Sequence, residues 1–493
     1  MVRSYMQWIN GQSVQSNSDE FIQRTSPAHG ELLAAFPAGS VDDVNKAVAA
    51  ARAAFEAKEW VNTPSLNKAK VLNKLADLLQ RDVEKLAIIE AEEVGKTINQ
   101  ARAEVLWAAE LTRYAAAISA EIPGSAYNNL GASAFGIVTH EPKGVVGMIT
   151  PWNFPLVTLF QKLPYALAAG CATVIKPSEL TAGTTFEVAK LAAEAGVPAG
   201  LINVVTGHGS VVGEALTTHK DVDMVSFTGS TAVGKRIAEH AAKDVRRVGL
   251  ELGGKAANVV FADADIDAAI DGVLLGFILN QGEECVAGTR LLIEESVADA
   301  FIVELVKRTE KVRVGLPLDE KADIGSMIHE AQMAKVLEYI EIGKNEGATL
   351  VCGGKQLTMG EFAKGYFIEP TIFTNVSPEM RVFREEIFGP VLTVTKFKTV
   401  DEAIALANDT EYGLGNGLWT KDIDKAITVS QALRSGTVFV NTFLETAPQL
   451  PFGGFKNSGI GRENGIHGIL EFMEVKSTFI KIGARTPALP HTI

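Results

Sequence analysis

The sequence is poor in cysteine, histidine and aromatic residues, and each shortage argues against a class of protein. Its 493 residues include three cysteines and 8 histidines, and 7% of them are aromatic. So few cysteines, without a Cys-x-x-Cys pair, argue against a disulfide framework and against structural zinc. They are typical of a reducing compartment, so we expect a cytoplasmic protein without a bound metal.

Long apolar runs and an excess of positive charge are also missing. No uninterrupted apolar stretch reaches the roughly 18 residues that a membrane span needs, and residues 1–12 lack the apolar core of a secretory signal. The formal net charge is −13, so the phosphates of a nucleic acid would repel the chain. We expect neither a membrane nor a nucleic acid as a partner.

The residues that are present have the composition of a large globular protein. Hydrophobic residues make up 47% and charged residues 21% of the chain, and its length predicts two or more domains. The first third is predicted to be helical, because Leu75, Leu79 and Leu86 recur at the spacing of an amphipathic helix.

From residue 144 onward, short β-branched runs alternate with helical stretches such as 185–195. The runs are 145–149, 172–175, 202–205 and 224–227. This alternation predicts a parallel sheet covered on both faces, with ligands at the carboxyl ends of its strands. A second αβ stretch from about 256 to 440, with a helix at 267–280 and a strand at 391–394, predicts a second domain.

Two strand-like runs lie outside this alternation, at 135–139 and 477–480. Exposed apolar strands far apart in the sequence can pair with each other or with another subunit.

Two glycine loops follow predicted strands and are candidates for binding a phosphate. The loop at 227–236 opens a helical stretch, whose amino terminus suits a phosphate. The other loop contains Gly207 and Gly209, which match the first two glycines of the dinucleotide-binding pattern Gly-x-Gly-x-x-Gly. Its third glycine, Gly213, comes one residue later than the pattern requires. Each loop alone is equally consistent with a strand–helix turn that needs glycine.

Cys285 differs from the other cysteines because its flanks, 280–290, are polar and contain glycine, as expected of a loop that presents a thiol. Cys171 and Cys352 are interpreted as small buried hydrophobic residues. The glutamates next to Cys285 would raise the pKa of its thiol, so activation has to come from a base or from positive groups brought by the fold.

Two further polar residues follow predicted strands. Glu251 is either an acid that binds a ribose, a general base with a raised pKa, or a solvated acid at a strand end. Asn153 lies between Pro151 and Pro155, which fix the local turn. Its side chain is either a rigid amide donor for an oxyanion hole or, equally, part of a structural turn.

Taken together, these residues resemble the aldehyde dehydrogenase superfamily, in its NAD(P)⁺-dependent, hydrolytic, non-acylating branch. The resemblance extends from about residue 8 to 480 and rests on seven motifs in the family's order: PWNFP at 151–155, KPSE at 176–179, FTGST at 227–231, ELGGK at 251–255, GxxC at 282–285, EIFGP at 386–390 and PFGG at 451–454.

The resemblance implies an α/β fold with two doubly wound parallel-sheet domains and a small β oligomerisation arm. The implied parts are a Rossmann-like NAD-binding domain, a catalytic domain and the arm, which cover 1–123 with 143–254, 255–456, and 124–142 with 472–493. A homodimer or homotetramer follows by resemblance only.

The resemblance also implies how the reaction proceeds. Cys285 is the nucleophile, Asn153 with the backbone N–H of Cys285 forms the oxyanion hole, and Glu251 activates the water that hydrolyses the thioester. Lys162 and Glu463 match two charged positions that form a water and proton path. Cofactor-binding roles are implied for Ile149, Thr150, Pro151, Trp152, Lys176, Ser178, Glu179, Gly209, Gly213, Phe227, Gly229, Ser230, Val233, Leu252, Gln332, Glu386 and Phe388. Substrate-binding roles are implied for Phe154, Gln161, Glu284, Val286 and Phe452.

The cofactor is expected to be NAD⁺. Lys176 and Glu179 resemble the pair that binds the adenosine ribose, and a carboxylate there repels a 2′-phosphate. NADP⁺ stays an alternative, because some members with this glutamate use both.

Three positions bear on the substrate and on departures from the family. Glu283 stands where glutamine is common, and activity is expected to survive this change. Glu284 would lie near the aldehyde tunnel and favour an amino or other polar aldehyde, unless it points into solvent. Gln161 stands where relatives that bind trimethylammonium aldehydes carry tryptophan, so an aromatic cation cage is incomplete.

Three other functions are alternatives to this one. A coenzyme A-acylating relative usually lacks a carboxylate at Glu251. A nucleotide triphosphatase would use Gly229 to Lys235 as its phosphate loop, but Arg236 stands where serine or threonine must hold magnesium. A non-catalytic structural protein on the same fold would not need Cys285 and Asn153 together with that carboxylate.

Overall fold

The structure is a computed structural model that describes residues 2–483. Its strands are Arg3–Ser4 (β1), Gln7–Ile9 (β2), Gln12–Val14 (β3), Phe21–Thr25 (β4), Leu32–Pro37 (β5), Ser125–Tyr127 (β6), Ala134–Pro142 (β7), Val145–Ile149 (β8), Ala172–Lys176 (β9), Ile202–Val204 (β10), Met224–Thr228 (β11), Arg247–Glu251 (β12), Ala257–Val260 (β13), Arg290–Glu294 (β14), Thr349–Cys352 (β15), Gln356–Leu357 (β16), Phe367–Ile368 (β17), Thr371–Thr374 (β18), Val391–Phe397 (β19), Gly415–Trp419 (β20), Thr437–Val440 (β21), Gly459–Ile460 (β22) and Met473–Lys481 (β23).

The α-helices are Val41–Glu56 (α1), Ser65–Arg81 (α2), Val83–Val94 (α3), Ile98–Ile118 (α4), Pro155–Phe160 (α5), Leu163–Ala169 (α6), Gly183–Ala195 (α7), Glu214–Thr218 (α8), Thr231–Lys243 (α9), Ile266–Ile278 (α10), Glu295–Thr309 (α11), Glu330–Asn345 (α12), Arg381–Arg384 (α13), Val400–Asn408 (α14), Ile423–Ala432 (α15) and Gly465–Leu470 (α16). A π-helical turn covers Gly209–Gly213, and 3₁₀ turns cover Leu279–Gly282, Gly360–Phe362 and Lys456–Ser458.

The prediction that the first third is helical is wrong for its first 37 residues, which contain β1 to β5. These strands are held by distant partners: Trp8 in β2 pairs with Val204 in β10, and β1, β4 and β5 form a small sheet of their own. Local periodicity cannot detect such pairing. The helices begin at α1, where Ser40 and Asp43 form a reciprocal capping box.

The first large sheet has the strand order β22-β12-β11-β8-β9-β10-β2-β3. The five strands from β12 to β10 are parallel, whereas β22 and β2 join the edges antiparallel. Residues on both faces of the central strands, such as Val145 and Val146, are fully buried. Helices α1, α6, α7 and α9 pack against this sheet. The strand–helix alternation after residue 144 was therefore interpreted correctly.

The second large sheet has the order β15-β18-β19-β14-β13-β20-β21 and is parallel except for β15. Leu291 and Leu292 in β14 belong to two different hydrophobic clusters. Because neighbouring side chains on a strand point to opposite faces, both faces of this sheet are covered.

The helix expected at 267–280 ends at Ile278 and passes into the 3₁₀ turn Leu279–Gly282. Asn280 and Gln281 adopt left-handed backbone angles there, with φ of 50° and 57°, and a right-handed helix cannot continue through them. The apolar periodicity predicted the helix but not this early end.

The two isolated strand-like runs pair with each other. β7 and β23 form an antiparallel ladder from Ala134 opposite Lys481 to Pro142 opposite Met473, and β6 adds a third strand. Most of β23 is exposed. Residues 484–493 of the predicted arm lie outside the described residues.

Within residues 2–483, no helix is long and apolar enough to cross a membrane. The predicted cytoplasmic location and the division into domains stay predictions. The predicted absence of a metal also stays a prediction.

Candidate active site

A single cavity of about 1070 Å³ brings together three of the five predicted catalytic residues: Cys285, Glu251 and Asn153. Eight predicted cofactor residues also line it: Pro151, Trp152, Gly229, Ser230, Leu252, Gln332, Glu386 and Phe388. All five predicted substrate residues do so too: Phe154, Gln161, Glu284, Val286 and Phe452. The cavity is therefore lined by residues from the segments of both large sheets.

The loop that carries Cys285 starts with a left-handed turn at Asn280, Gln281 and Gly282. A side chain at position 282 would meet the backbone of Gly389 at 2.3 Å, so only glycine fits there. On the other side, a Cβ at Gly254 would lie 2.1 Å from the carbonyl oxygen of Cys285. These two close backbone approaches fix the position of the thiol.

The amide of Asn153 is buried and held beside this loop. Its Nδ2 donates to the carbonyl of Glu283 at 2.9 Å, and Nδ2 of Asn280 donates to the carbonyls of Asn153 and Glu283 at 3.0 and 2.9 Å. An amide nitrogen carries two N–H donors. Asn153 uses one within the described residues and can offer the second to an oxyanion.

Glu283, which stands where glutamine is common, is completely buried. Its carboxyl accepts hydrogen bonds from the backbone N–H of Ile328 at 3.1 Å and from the amide of Gln281 at 3.4 Å. Burial raises the pKa of this carboxyl well above its usual value. The two hydrogen bonds and the positive charges of Lys96 and Arg24 lower the pKa, but their effect is smaller. Burial therefore favours the neutral form of the carboxyl, the form that resembles a neutral amide.

The Cys285 thiol is not activated by its surroundings alone. Burial, and then the carboxylates of Glu284, Glu386 and Glu251, raise its pKa well above the usual value. The thiol is therefore protonated at neutral pH and needs a base.

Glu251 carries a buried carboxyl in the same cavity. It is 4% exposed, and its Oε2 atom is buried without a partner in residues 2–483. Burial, and next the charge of Glu463, raise its pKa well above the usual value, against the lowering effect of Lys162. A base that is protonated and deprotonated near neutral pH needs such a raised pKa.

Lys162 and Glu463 form a buried ion pair behind the cavity wall. The Nζ of Lys162, which is fully buried, also donates to the hydroxyl of Thr228 at 2.6 Å. Since both charges act on the pKa of Glu251, the pair is electrostatically coupled to the base, although it does not line the cavity.

The remaining nine predicted cofactor residues surround the carboxyl ends of β8 to β11 and the start of α9. They are Ile149, Thr150, Lys176, Ser178, Glu179, Gly209, Gly213, Phe227 and Val233. Their common position agrees with the expectation that ligands of parallel sheets bind at this edge. The hydroxyl of Ser178 accepts from the backbone N–H of Leu180 at 3.2 Å and so stabilises a turn.

Lys176 and Glu179 form an ion pair at 3.1 Å. Burial raises the pKa of Glu179, but Lys176 and hydrogen bonds hold it below the usual value. The carboxylate is therefore ionised, which is the state that binds ribose hydroxyls and repels a 2′-phosphate.

Ser230 caps helix α9, with its hydroxyl accepting from the N–H of Val233 at 3.5 Å. Ser230 and Gly229 line the cavity, so the amino terminus of a 13-residue helix faces it. Backbone N–H groups at such a terminus suit a pyrophosphate.

Another part of the cavity wall is formed by Phe388, whose backbone is left-handed with a φ of 62°. Its ring meets Trp152 edge-on at 5.4 Å, and its carbonyl accepts from Nε2 of Gln332 at 2.7 Å. Nearby, Oε1 of Glu386 accepts from the N–H of Gly254 at 2.9 Å. These contacts place a carboxylate and an aromatic ring beside the Cys285 loop.

Sequence reasoning missed several residues of the cavity wall: Glu104, Trp107, Lys335 and Asn464. Lys335 follows Gln332 by three residues on α12, so helical spacing alone could have found it. Glu104 and Trp107 lie on α4, and no local pattern separates them from other helix positions.

The two cysteines interpreted as buried differ. Cys171 is fully buried, as predicted, and this burial raises the pKa of its thiol to about 11. Cys352 is only half-buried, because it lies in the edge strand β15.

Comparison with known proteins identifies the family. The sequence pattern of the aldehyde dehydrogenase family matches residues 13–478. A betaine aldehyde dehydrogenase of Bacillus subtilis is 42% identical over 472 residues, which cover 96% of each chain. Chicken aldehyde dehydrogenase 1A1 is 44% identical over 479 residues, 96% of this chain and 93% of the relative.

Solved structures agree. An NAD-dependent aldehyde dehydrogenase from Sinorhizobium meliloti superposes with a TM-score of 0.97 at 45% identity, covering 98% of this chain and 96% of the other. A betaine aldehyde dehydrogenase from Staphylococcus aureus in complex with NAD⁺ has a TM-score of 0.96 at 38% identity, covering 99% and 97%.

The chain belongs to the aldehyde dehydrogenase family. The predicted superfamily, the α/β fold class and the enzyme class, an oxidoreductase that acts on aldehydes, are confirmed.

Proposed function

We propose that this enzyme oxidises an aldehyde to a carboxylic acid through a thioester on Cys285. The observation that carries the proposal is that one cavity holds the thiol, the amide of Asn153 and the unpartnered carboxylate oxygen of Glu251. Nucleophile, oxyanion donor and base are the three groups that acyl chemistry requires.

The predicted cofactor, NAD, is confirmed by relatives described as NAD-dependent or solved as NAD⁺ complexes. The site fits it: the Ser230-capped helix end suits its pyrophosphate, Glu179 with Lys176 its adenosine ribose, and Glu386 with Phe388 its nicotinamide ribose. Bound NAD⁺ supplies the acceptor for the hydride. These residue roles belong to the proposal, and NADP⁺ is the alternative that Glu179 disfavours.

The protein groups act in two stages. In the first, the sulfur of Cys285 bonds to the aldehyde carbon while its proton passes to Glu251, and Asn153 stabilises the resulting oxyanion. After loss of the hydride the carbon remains bound to sulfur as a thioester. In the second stage Glu251 takes a proton from water, which attacks the thioester carbon, and the carbon–sulfur bond breaks. The Lys162–Glu463 pair carries protons away from the base.

The experiment that tests this reaction is NADH formation by purified enzyme from NAD⁺ and a panel of aldehydes, with and without coenzyme A. Activity without coenzyme A is expected, because Glu251 supplies the base that makes water the acyl acceptor. Activity that appears only with coenzyme A would favour the coenzyme A-acylating alternative. An absence of activity in both conditions, with NAD⁺ still bound, would favour a non-catalytic structural protein.

We further propose that the substrate is an amino or other polar aldehyde. Glu284 does not point into bulk solvent: it lines the cavity, and its Oε2 atom is buried without a partner in residues 2–483. Burial, and next Glu104, raise the pKa of its carboxyl to about 8, although Lys96 lowers it. Two of the relatives named above are betaine aldehyde dehydrogenases, which also supports a substrate with a cationic nitrogen.

This proposal predicts a pH-dependent substrate preference. Below pH 8 the carboxyl of Glu284 is protonated, so an ammonium group must displace a proton to bind. The KM for 4-aminobutanal is therefore expected to fall roughly tenfold per pH unit up to about 8 and then to level off. The KM for pentanal should not change, and steady-state kinetics at pH 6 to 9 measures both.

Glu284→Gln should remove the pH dependence and lower kcat/KM for 4-aminobutanal by at least about tenfold, since a charge-assisted hydrogen bond contributes about 1.5–3 kcal/mol. Glu361→Gln, which changes an exposed glutamate, is the matched control. Equal efficiency of the wild type with both aldehydes would sink the amino aldehyde proposal.

We also propose that the sheet of β6, β7 and β23 is the arm through which copies of the chain assemble. Val475, Phe479 and Tyr127 on it are 67%, 69% and 47% exposed, and exposed apolar strands favour pairing between subunits. The division into an NAD-binding domain, a catalytic domain and this arm agrees with the two large sheets and is part of the same proposal.

A further inference from the structure

Asn464 lies in the cavity wall between the catalytic base and an apolar segment. An antiparallel bridge joins Glu463 to Phe452, and the N–H of Gly465 donates to the carbonyl of Pro448 at 2.9 Å. Asn464 is therefore held on both sides against 448–452, whose residues Leu450, Pro451 and Phe452 line the cavity.

This segment belongs to the aldehyde end of the cavity. A Cβ at Gly453, one residue after Phe452, would lie 2.7 Å from Oε1 of Glu251. The wall that carries Asn464 thus adjoins the base that acts on the bound acyl group.

The side-chain oxygen of Asn464 accepts no hydrogen bond from the described residues. The residue is 3% exposed, and its Oδ1 atom is buried without a hydrogen bond in residues 2–483. Buried polar atoms in proteins are nearly always paired, because an unpaired one costs free energy. Since the side chain lines the cavity, a molecule bound inside it is the candidate for the missing donor.

The backbone of Asn464 makes the presence of a side chain costly. Its φ of 59° and ψ of 174° lie in a region that glycine adopts freely and that strains other residues. Asparagine at this position therefore carries both backbone strain and an unpaired buried oxygen, and glycine would remove both.

We infer that Asn464 is a specificity-determining residue that accepts a hydrogen bond from a hydroxyl or amino group of the aldehyde. The inference rests on the proposed function and adds to it a second polar contact, separate from Glu284, in an otherwise apolar wall. Unlike the carboxyl of Glu284, a neutral amide recognises the hydrogen-bond donor and not its charge.

The test compares Asn464→Gly with wild type on three aldehydes of equal length: 3-hydroxypropanal, 3-aminopropanal and butanal. Glycine suits the backbone, so the variant is expected to fold and to melt no lower than wild type. Loss of one hydrogen bond is expected to lower kcat/KM about tenfold for the two polar aldehydes, through KM, and to leave butanal within about twofold.

Asn464→Asp keeps an acceptor of the same shape and adds a charge. It should retain recognition of 3-hydroxypropanal and increase the preference for 3-aminopropanal. Asn99→Ala is the matched control, because Asn99 on α4 lines the same cavity but its amide already donates to the carbonyl of Glu320 at 2.8 Å. It should leave the ratios between the three aldehydes unchanged.

An active wild type with an equal loss for all three aldehydes in Asn464→Gly would overturn the inference alone, since the amide would then act in the chemistry and not in recognition. Unchanged ratios in that variant would overturn it as well. A wild type that oxidises none of the three would overturn the proposed function, and the inference with it.

Discussion

Cys285→Ala is expected to abolish NADH formation from every aldehyde that the wild type oxidises, with kcat reduced by at least about 10⁴-fold. The methyl group cannot form the bond to the aldehyde carbon, and no other thiol lines the cavity in residues 2–483. Steady-state absorbance at 340 nm, about the wavelength at which NADH absorbs, measures the loss.

The matched control is Cys352→Ala, which removes a half-buried thiol from an edge strand. It should keep the wild-type rate within about twofold. NAD⁺ binding by Cys285→Ala should also be retained, because the contacts at Ser230 and Glu179 are untouched. More than about one thousandth of wild-type activity in Cys285→Ala would contradict the thioester mechanism.

Glu251→Gln is expected to lower kcat by about 10²- to 10⁴-fold and to leave an acyl group on Cys285. Gln cannot take a proton at either stage. The effect is larger in the second, because water is a much weaker acid and nucleophile than a thiol and depends more on the base.

Intact-protein mass spectrometry after mixing the variant with NAD⁺ and aldehyde should therefore show the acyl adduct. Hydroxylamine, a nucleophile that needs no base, should release it and restore turnover. If the variant loses activity without forming an adduct, Glu251 acts only in the step that precedes the thioester. If turnover is undiminished, Glu251 has no role in the mechanism.

The sequence predicted the parallel sheet after residue 144 and the residues at its carboxyl edge, because both depend on local order. Apolar runs define strands such as β8 and β9, and the residues that follow them, including Asn153 and Lys176, must then meet at one edge. Cys285 was recognisable for a similar reason, since polar and glycine residues surround it.

Features that depend on distant partners were not predictable in this way. β2 is a strand because β10 lies beside it. α10 ends early because the side-chain amide of Asn280 donates to the carbonyls of Asn153 and Glu283 and so fixes the turn. Asn464 was missed because its significance is an unpaired atom in a cavity wall, which no spacing of residues reveals.

The antiparallel pairing of β22 with β12 has a consequence for synthesis of the chain. β12 carries Glu251, while β22 and the following residues up to Glu463 arrive more than two hundred positions later and complete the wall behind it. A ribosome must therefore translate more than two hundred further residues before the base has its surroundings. The nascent chain can bury the central strands of its first sheet early, but it gains the complete reactive centre only after β22 has been made.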